Sequence, residues 1–268
     1  MSEIDIKIND ESIKEAIKTG DKHLGPTYDN LTAPVSKSIG NGIADIVDLV
    51  FSPFRYLNEK SNMFFEHKLK VYKKELEEKE NSIPEDKKIE PDFHAVSLAL
   101  DNSKFCITND ELRKMFVNLI GNTMNTDKKD IAHPAFSEII KQMTTEDALI
   151  LETFKNRKEQ PIVEVRSKEG FCCYKTLIDK YFIPLIEDYD SDYFASSIIS
   201  SNLERLGLLG VKYGSELSGD LYSAYIKDLK KTEKELSSKM KKKIKLTIEK
   251  GIVYRTQVGE AFIKACME

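Results

Sequence analysis

Apolar side chains recur every three or four residues along most of the chain, and this spacing places them on one face of a helix. It predicts helices over residues 34–51, 58–79, 93–100, 108–120, 134–143 and 144–154. The clearest begins at Thr108, because Glu111 stands three residues later, as in a capping box. We predict that this helix buries the apolar face formed by Leu112, Met115, Phe116 and Leu119.

The first predicted helix carries an apolar face that has two interpretations. Ile43, Ile46, Val47 and Val50 fit a helix packed against its neighbour, so we expect them to be inaccessible. The alternative is that residues 34–54 lie on a membrane surface. They are too short to span a hydrocarbon core of about 30 Å, and the chain has no continuous apolar run of about 18 residues.

The pattern changes after Pro161. Residues 162–165 are rich in β-branched side chains and predict a strand, whereas residues 193–206, 221–240 and 258–267 predict helices. Residues 244–248 alternate between apolar and polar, and residues 252–254 follow after a short connection that contains Gly251, which predicts a β-hairpin. A helix that ends at Gly207, a hairpin and a closing helix are typical of a winged helix. The long insertion at about 214–243 departs from that arrangement.

We therefore predict a mainly α protein, with a helical body followed by a winged-helix-like α+β C-terminal part. Its divisions are a tail or weakly ordered arm at residues 1–31, the α-helical body at 32–158 and the winged-helix-like domain at 159–268, which carries the lysine-rich helical insertion. The 12 Gly and 8 Pro among 268 residues are too few for the many turns of an all-β protein.

Charge is distributed unevenly along the chain. The 45 Asp and Glu exceed the 41 Lys and Arg, and the net charge of −4 excludes a uniformly basic nucleic-acid binder. Residues 193–268 nevertheless hold 14 Lys and Arg against 9 Asp and Glu, and a basic end of this kind can contact phosphates. The candidate nucleic-acid-binding residues are Asn202, Arg205, Lys241, Lys242, Lys243 and Arg255. The alternative is an ordinary solvated, lysine-rich helix face.

No familiar catalytic or metal-binding motif stands out. The four histidines are not spaced from one another or from a cysteine as zinc ligands are, and the chain has neither a phosphate-binding Walker loop nor a nucleophile elbow. Asp127, Asp130 and His133 are a conceivable metal set, but we favour Asp130 and His133 as caps of the helix that Pro134 opens. We therefore expect a protein that is not an enzyme and that uses no cofactor or metal.

The cysteines and the N-terminus bear on the compartment. Cys106, Cys172, Cys173 and Cys266 do not form the spacing of a disulfide framework, which favours reduced thiols. Residues 1–10 are polar and acidic and lack the apolar core of a signal peptide. We expect a cytoplasmic protein.

Five stretches resemble one known family. They are residues 83–91 (IPEDKKIEP), 111–120 (ELRKMFVNLI), 133–143 (HPAFSEIIKQM), 202–209 (NLERLGLL) and 259–266 (GEAFIKAC). In this order they resemble the bacterial Abi-alpha (abortive infection alpha) family, and the likeness extends over about residues 30–268. The resemblance implies an association with phage defence and implies no particular chemistry.

Three functional hypotheses remain open, and a fourth, an enzyme with an unfamiliar site, is supported by no constellation of residues in the sequence. The first is a non-enzymatic phage-defence protein whose helical body binds a phage or host protein. The second is a winged-helix regulator or sensor that binds nucleic acid through the basic C-terminal part. The third is an effector that acts on a membrane surface through residues 34–54.

Overall fold

The computed structural model describes residues 43, 46–48, 50–52, 62–169, 173–183, 193–241 and 244–268. They fall in two compact units, Met1–Leu49 and Val50–Glu268. In the first unit, Ile43, Ile46 and Val47 have helical backbone and buried side chains, which confirms that part of the prediction. Val50, the fourth residue of the predicted apolar face, belongs to the second unit and is half-buried. The predicted arm at 1–31 and much of the predicted membrane-surface segment at 34–54 lie outside the described residues.

The N-terminal half of the second unit is helical. Its elements are α1 (Asn62–Asn81), α2 (Phe93–Ser103), α3 (Asp110–Thr123), a 3-10 turn (Lys129–Ile131), α4 (Ala135–Lys141) and α5 (Thr145–Glu152). The predicted capping box at Thr108 is wrong, because Asn109 caps α3 by accepting hydrogen bonds from the backbone N–H groups of Glu111 and Leu112. A capping box is present at α5 instead, between Thr144 and Asp147.

Helix α3 forms the centre of this helical layer. Its predicted apolar face is buried, as the spacing of Leu112, Met115, Phe116 and Leu119 required. The buried Arg113 side chain donates hydrogen bonds from Nε and Nη2 to the two carboxylate oxygens of Glu75, at 2.8 and 2.9 Å, and so joins α3 to α1. The ring of Phe51 packs 6.2 Å from that of Tyr72, which extends the core beyond α1.

The C-terminal half is built on a curled antiparallel sheet. Its strands are β1 (Glu159–Glu169), β2 (Cys173–Tyr181), β3 (Leu209–Tyr213) and β4 (Leu246–Arg255), in the order β2-β1-β4-β3. The helices of this half are α6 (Tyr193–Arg205), α7 (Ser223–Met240) and α8 (Gln257–Cys266). Helix α8 returns to the helical layer, where the Asn122 side chain donates a 2.7 Å hydrogen bond to Ala265 O.

The predicted fold class, a mainly α protein with a winged-helix-like C-terminal part, is wrong. The residues expected to form a hairpin make one continuous strand, β4, which pairs with β1 on one side and β3 on the other. Gly251 does not turn the chain. A Cβ at this position would lie 2.6 Å from Tyr213 Cδ1 and 2.9 Å from Lys212 O, so the glycine makes room for the tyrosine ring of the neighbouring strand. The result is an α+β fold around a curled four-stranded sheet.

Helix α7 is the lysine-rich insertion expected from the sequence, and it packs on one face of this sheet. A cluster of buried residues forms the contact, and its members are Val163, Val165, Tyr181, Tyr222 and Tyr225. The predicted division between residues 32–158 and 159–268 stays a prediction. None of the helices within the described residues is both long and apolar enough to cross a membrane.

Candidate functional site

Two of the predicted nucleic-acid-binding residues, Asn202 and Arg205, bind other parts of the chain. Asn202 Nδ2 donates to Asp147 Oδ2 at 2.8 Å, which joins α6 to the capped start of α5. Arg205 Nη2 donates to Asn202 Oδ1 at 2.8 Å, and Arg205 Nη1 donates to Gln142 Oε1 at 3.0 Å. These contacts fix the junction between α5 and α6, and the role of the two residues toward nucleic acid stays a prediction.

The remaining predicted binding residues are Arg255 and the consecutive lysines at 241–243. Arg255 ends β4, where its backbone N–H donates to Lys158 O at 3.0 Å, and its buried Nε has no hydrogen-bond partner among the described residues. Lys241 ends α7 with an exposed side chain and a left-handed backbone, φ 50°. Lys242 and Lys243 lie outside the described residues.

The structure gives α7 an inner face that is bonded to the sheet. The hydroxyl of Tyr225 donates to Pro161 O at 2.7 Å, and that of Tyr222 donates to Gly251 O at 2.8 Å. Burial raises the pKa of Tyr225 well above its ordinary value, so this hydroxyl keeps its proton and remains a donor. These bonds anchor the N-terminal half of α7 on β1 and β4.

Two of the three acidic residues on α7 also turn toward the sheet. Asp228 Oδ2 accepts a 2.7 Å hydrogen bond from the Tyr181 hydroxyl, and Glu233 Oε2 accepts a 3.1 Å hydrogen bond from Leu246 N. Both carboxylates belong to half-buried residues, whereas Glu235 is exposed. Two of the three negative charges of this helix are therefore drawn to the sheet, whereas Glu235 lies exposed beside Lys231 and Lys234.

The opposite side of α7 is a row of exposed lysines. Lys227, Lys230, Lys231 and Lys234 recur at steps of three, one and three residues, which places them on one face of the helix. We call these four residues the lysine face. Within the described part of the chain, none of the four takes part in an ion pair, so four positive charges stand together in solvent. Such a row attracts a polyanion, and salt screens the attraction.

The lysine face was not among the residues singled out from the sequence, although its signal was present there. Helical spacing of the four lysines is visible within the predicted helix 221–240. What the sequence does not show is which residues of that helix face the sheet. From the sequence alone, the acids at positions 228 and 233 are therefore indistinguishable from acids that lie among the lysines on an exposed face.

A second cluster of charges lies on β1 and its neighbouring strands. The Arg166 guanidinium donates to both oxygens of Glu164, from Nε at 3.0 Å and Nη2 at 2.9 Å, and Nη1 donates to Glu249 Oε2 at 3.1 Å. Thr176 adds a hydroxyl donor to Glu164. The hydrogen bond from Arg166 lowers the pKa of Glu164 and holds it ionised. We interpret this cluster as a cross-strand ion-pair network that stabilises the sheet.

The conceivable metal set separates into contacts within the protein. Asp127 pairs with Lys87. His133 Nδ1 accepts a 3.1 Å hydrogen bond from Ala135 N at the start of α4, as predicted for His133, whereas capping by Asp130 stays a prediction. Among the described residues, no group of three His, Cys, Asp or Glu side chains is placed to hold a metal ion.

Comparison with known proteins identifies one family. The family model described as abortive infection alpha matches residues 65–266, which include most of the helical layer and the whole curled sheet. No curated protein and no solved structure matches the chain.

Proposed function

The chain belongs to the abortive infection alpha family, and we propose that it acts in bacterial phage defence as a non-enzymatic protein that binds a polyanionic partner at its lysine face. The family supplies the defence role. The mode of action, by binding, is our inference from the surface of α7.

The observation that carries this proposal is the separation of charge across α7. Lys227, Lys230, Lys231 and Lys234 are exposed on one side, while Asp228 and Glu233 accept hydrogen bonds from the sheet on the other. An ordinary solvated helix has no need to separate its charges in this way, because lysines and acids paired along its surface satisfy one another. A row of like charges costs self-repulsion, which a polyanionic partner relieves.

Anchoring of α7 supports the same conclusion. The hydrogen bonds of Tyr222 and Tyr225 to strand carbonyl groups hold the helix in one orientation. The lysines therefore project from a fixed backbone, so a partner meets an ordered row of charges and less conformational entropy is lost on binding.

The proposal is tested by a phage challenge of bacteria that express the full chain. A variant with Lys227, Lys230, Lys231 and Lys234 replaced by Gln removes four positive charges from the lysine face. We expect it to lose protection, measured as the efficiency of plaque formation, at a protein level matched by immunoblot.

A control variant with the same change in net charge distinguishes loss of the lysine face from loss of four positive charges elsewhere on the protein. It replaces four exposed lysines of α1, α3 and the 3-10 turn by Gln, namely Lys70, Lys74, Lys114 and Lys129. We expect this variant to protect as the wild-type chain does. Wild-type protection by the lysine-face variant, or equal loss in both variants, would contradict the proposal.

A further inference from the structure

The side chains along the lysine face define which polyanion it fits. The lysine face runs from residue 227 to residue 234, and Lys241 adds an exposed charge at the C-terminal end of α7, where its left-handed backbone takes it out of the helical row. Residues 227 and 241 are about 21 Å apart along the helix at 1.5 Å per residue. Lysine is a point charge with no fixed fork of donors, and it contacts phosphates without reading the edges of bases. The row therefore fits a long, regularly charged partner.

A membrane surface is disfavoured by the position of the apolar side chains of α7. A helix that lies in a membrane interface inserts its apolar face between the lipids. In α7 and its N-cap residue that face consists of Tyr222, Tyr225 and Leu229, which pack in or against the cluster on the sheet. The lysine face is left without an apolar side to insert.

A protein partner is disfavoured by the composition of the row. The cores of protein interfaces are enriched in aromatic residues, Met and Arg and are depleted of Lys. On α7, among side chains that the structure describes, the exposed large apolar residue is Ile226. One isoleucine beside four lysines does not form an interface core.

A single-stranded nucleic acid is disfavoured for a related reason. Proteins that bind single strands stack the bases on exposed aromatic side chains. Tyr222, the N-cap residue of α7, and Tyr225 within the helix are buried against the sheet, where their hydroxyls donate hydrogen bonds to strand carbonyl groups. A duplex instead presents its phosphates outward and hides its bases, at one charge per about 1.7 Å of axis.

Building on the proposed function, we propose that the polyanionic partner is a nucleic-acid duplex, whose phosphates the lysine face contacts regardless of base sequence. Four or five lysines then neutralise a similar number of phosphates. The counterions released make the logarithm of the association constant fall with the logarithm of salt concentration, with a slope of about −4. Affinity is expected to fall about 250-fold between about 50 and 200 mM salt.

The experiment measures fluorescence anisotropy of labelled nucleic acids with the full chain. The main probes are two DNA duplexes of unrelated sequence, each about 20 base pairs long, since 21 Å spans only about six base pairs. An RNA duplex of the same length distinguishes DNA from RNA as the source of phosphates. A single strand and vesicles of anionic phospholipid serve as the competing partners. The proteins are the wild-type chain, the lysine-face variant and the control variant with Lys70, Lys74, Lys114 and Lys129 replaced by Gln.

The expected result has three parts. Both DNA duplexes bind the wild-type chain with affinities within about threefold of one another and with the slope given above. The lysine-face variant loses more than about tenfold in affinity and most of the salt dependence, because its phosphate contacts are gone. The control variant keeps the slope of the wild-type chain. Circular dichroism spectra that superimpose for the three proteins show that the variant loses affinity without losing its fold.

Several outcomes would overturn the inference. The first is that the wild-type chain binds no duplex at the lowest salt concentration. The second is that the lysine-face variant keeps its affinity for duplex or loses no more than the control variant does. The third is that the lysine face binds only vesicles or single strands. If duplex binding is absent but the lysine-face variant still loses phage protection, the inference fails and the proposed function stands. If duplex binding needs the lysine face but protection does not, the proposed function fails.

Discussion

The Tyr181 hydroxyl donates a 2.7 Å hydrogen bond to Asp228 Oδ2 and so joins the end of β2 to the lysine-rich helix α7. Asp228 follows Lys227 directly in the sequence, yet its carboxylate turns to the sheet while the lysine stays in solvent. One residue step on a helix is enough to change the direction of a side chain by about 100°. The bond therefore helps to keep an acid away from the lysine face.

Removing this hydroxyl tests the anchoring of α7. We expect Tyr181→Phe to lower the free energy of unfolding by about 1–2 kcal/mol, because a buried phenol loses a hydrogen bond to a charged group. Urea unfolding followed by circular dichroism measures the change. Tyr174→Phe is the matched control, since the Tyr174 side chain is 54% exposed on the same strand, and we expect it to have no measurable effect. Equal stability of Tyr181→Phe and the wild-type chain would contradict the assigned role.

Two helical glycines are expected to respond to the same substitution to different extents. At Gly259 in α8 a Cβ would lie 1.9 Å from Leu208 O, a backbone atom that is held by its own hydrogen bond from Thr256 N. We expect Gly259→Ala to destabilise the protein by about 1–3 kcal/mol, as overpacking does. Thermal unfolding measures this difference.

The counterpart is Gly121 in α3. Its added Cβ would approach Lys79 Cγ at 2.3 Å, near the root of a half-buried side chain whose Nζ donates a 2.8 Å hydrogen bond to Asn118 Oδ1. A side chain can change rotamer where a backbone carbonyl cannot, and Ala favours a helix over Gly by about 1 kcal/mol, so we expect Gly121→Ala to cost less than Gly259→Ala. A larger loss of thermal stability for Gly121→Ala than for Gly259→Ala would contradict the conclusion that the backbone contact at Gly259 leaves less room than the side-chain contact at Gly121.

Asp110 makes stability depend on pH below neutrality. The hydrogen bond from Lys68, followed by that from Arg113, lowers the pKa of Asp110 to about 2. In the unfolded chain an aspartate titrates near about 3.9, so the folded protein binds this proton more weakly. The stabilisation from Asp110 is therefore fully present above about pH 4 and is lost as the pH falls toward 2.

A comparison with Asp110→Asn isolates this contribution. We expect the free energy of unfolding of the wild-type chain to fall more steeply between about pH 4 and 2 than that of Asp110→Asn, because the amide has no proton to gain. Urea unfolding at a series of pH values gives both curves. Parallel curves would mean that the two cations do not stabilise the carboxylate.

The core of the helical layer is tested at Leu119, which is 2% exposed in the middle of α3. We expect Leu119→Ala to cost about 2–5 kcal/mol, the range for truncation of a buried leucine. Leu149→Ala on α5 is the control, because the Leu149 side chain is 46% exposed and leaves no cavity when shortened. A similar loss in both variants, measured by urea unfolding, would refute the central position of α3.

The strand β4 illustrates where sequence reasoning reached its limit. Alternation at residues 244–248 and the return at 252–254 correctly predict extended structure in this region. A glycine at position 251 is compatible with a turn and also with a close approach between two strands, and the surrounding sequence pattern is the same in both cases. The choice depends on Tyr213, which lies far away in sequence and meets Gly251 only once β3 pairs with β4.

By itself, the sequence determined the helices with strong apolar periodicity, the buried face of α3 and the row of lysines in residues 221–240, because these follow from spacing within a few turns of one helix. The family was also readable from short stretches of sequence. Only the tertiary structure decided that β4 is a central strand, that Asn202 binds Asp147 and Arg205 binds Gln142, and that Asp228 and Glu233 of α7 face the sheet. These features depend on contacts between residues distant in the chain, and local spacing carries no information about which distant partner a side chain will meet.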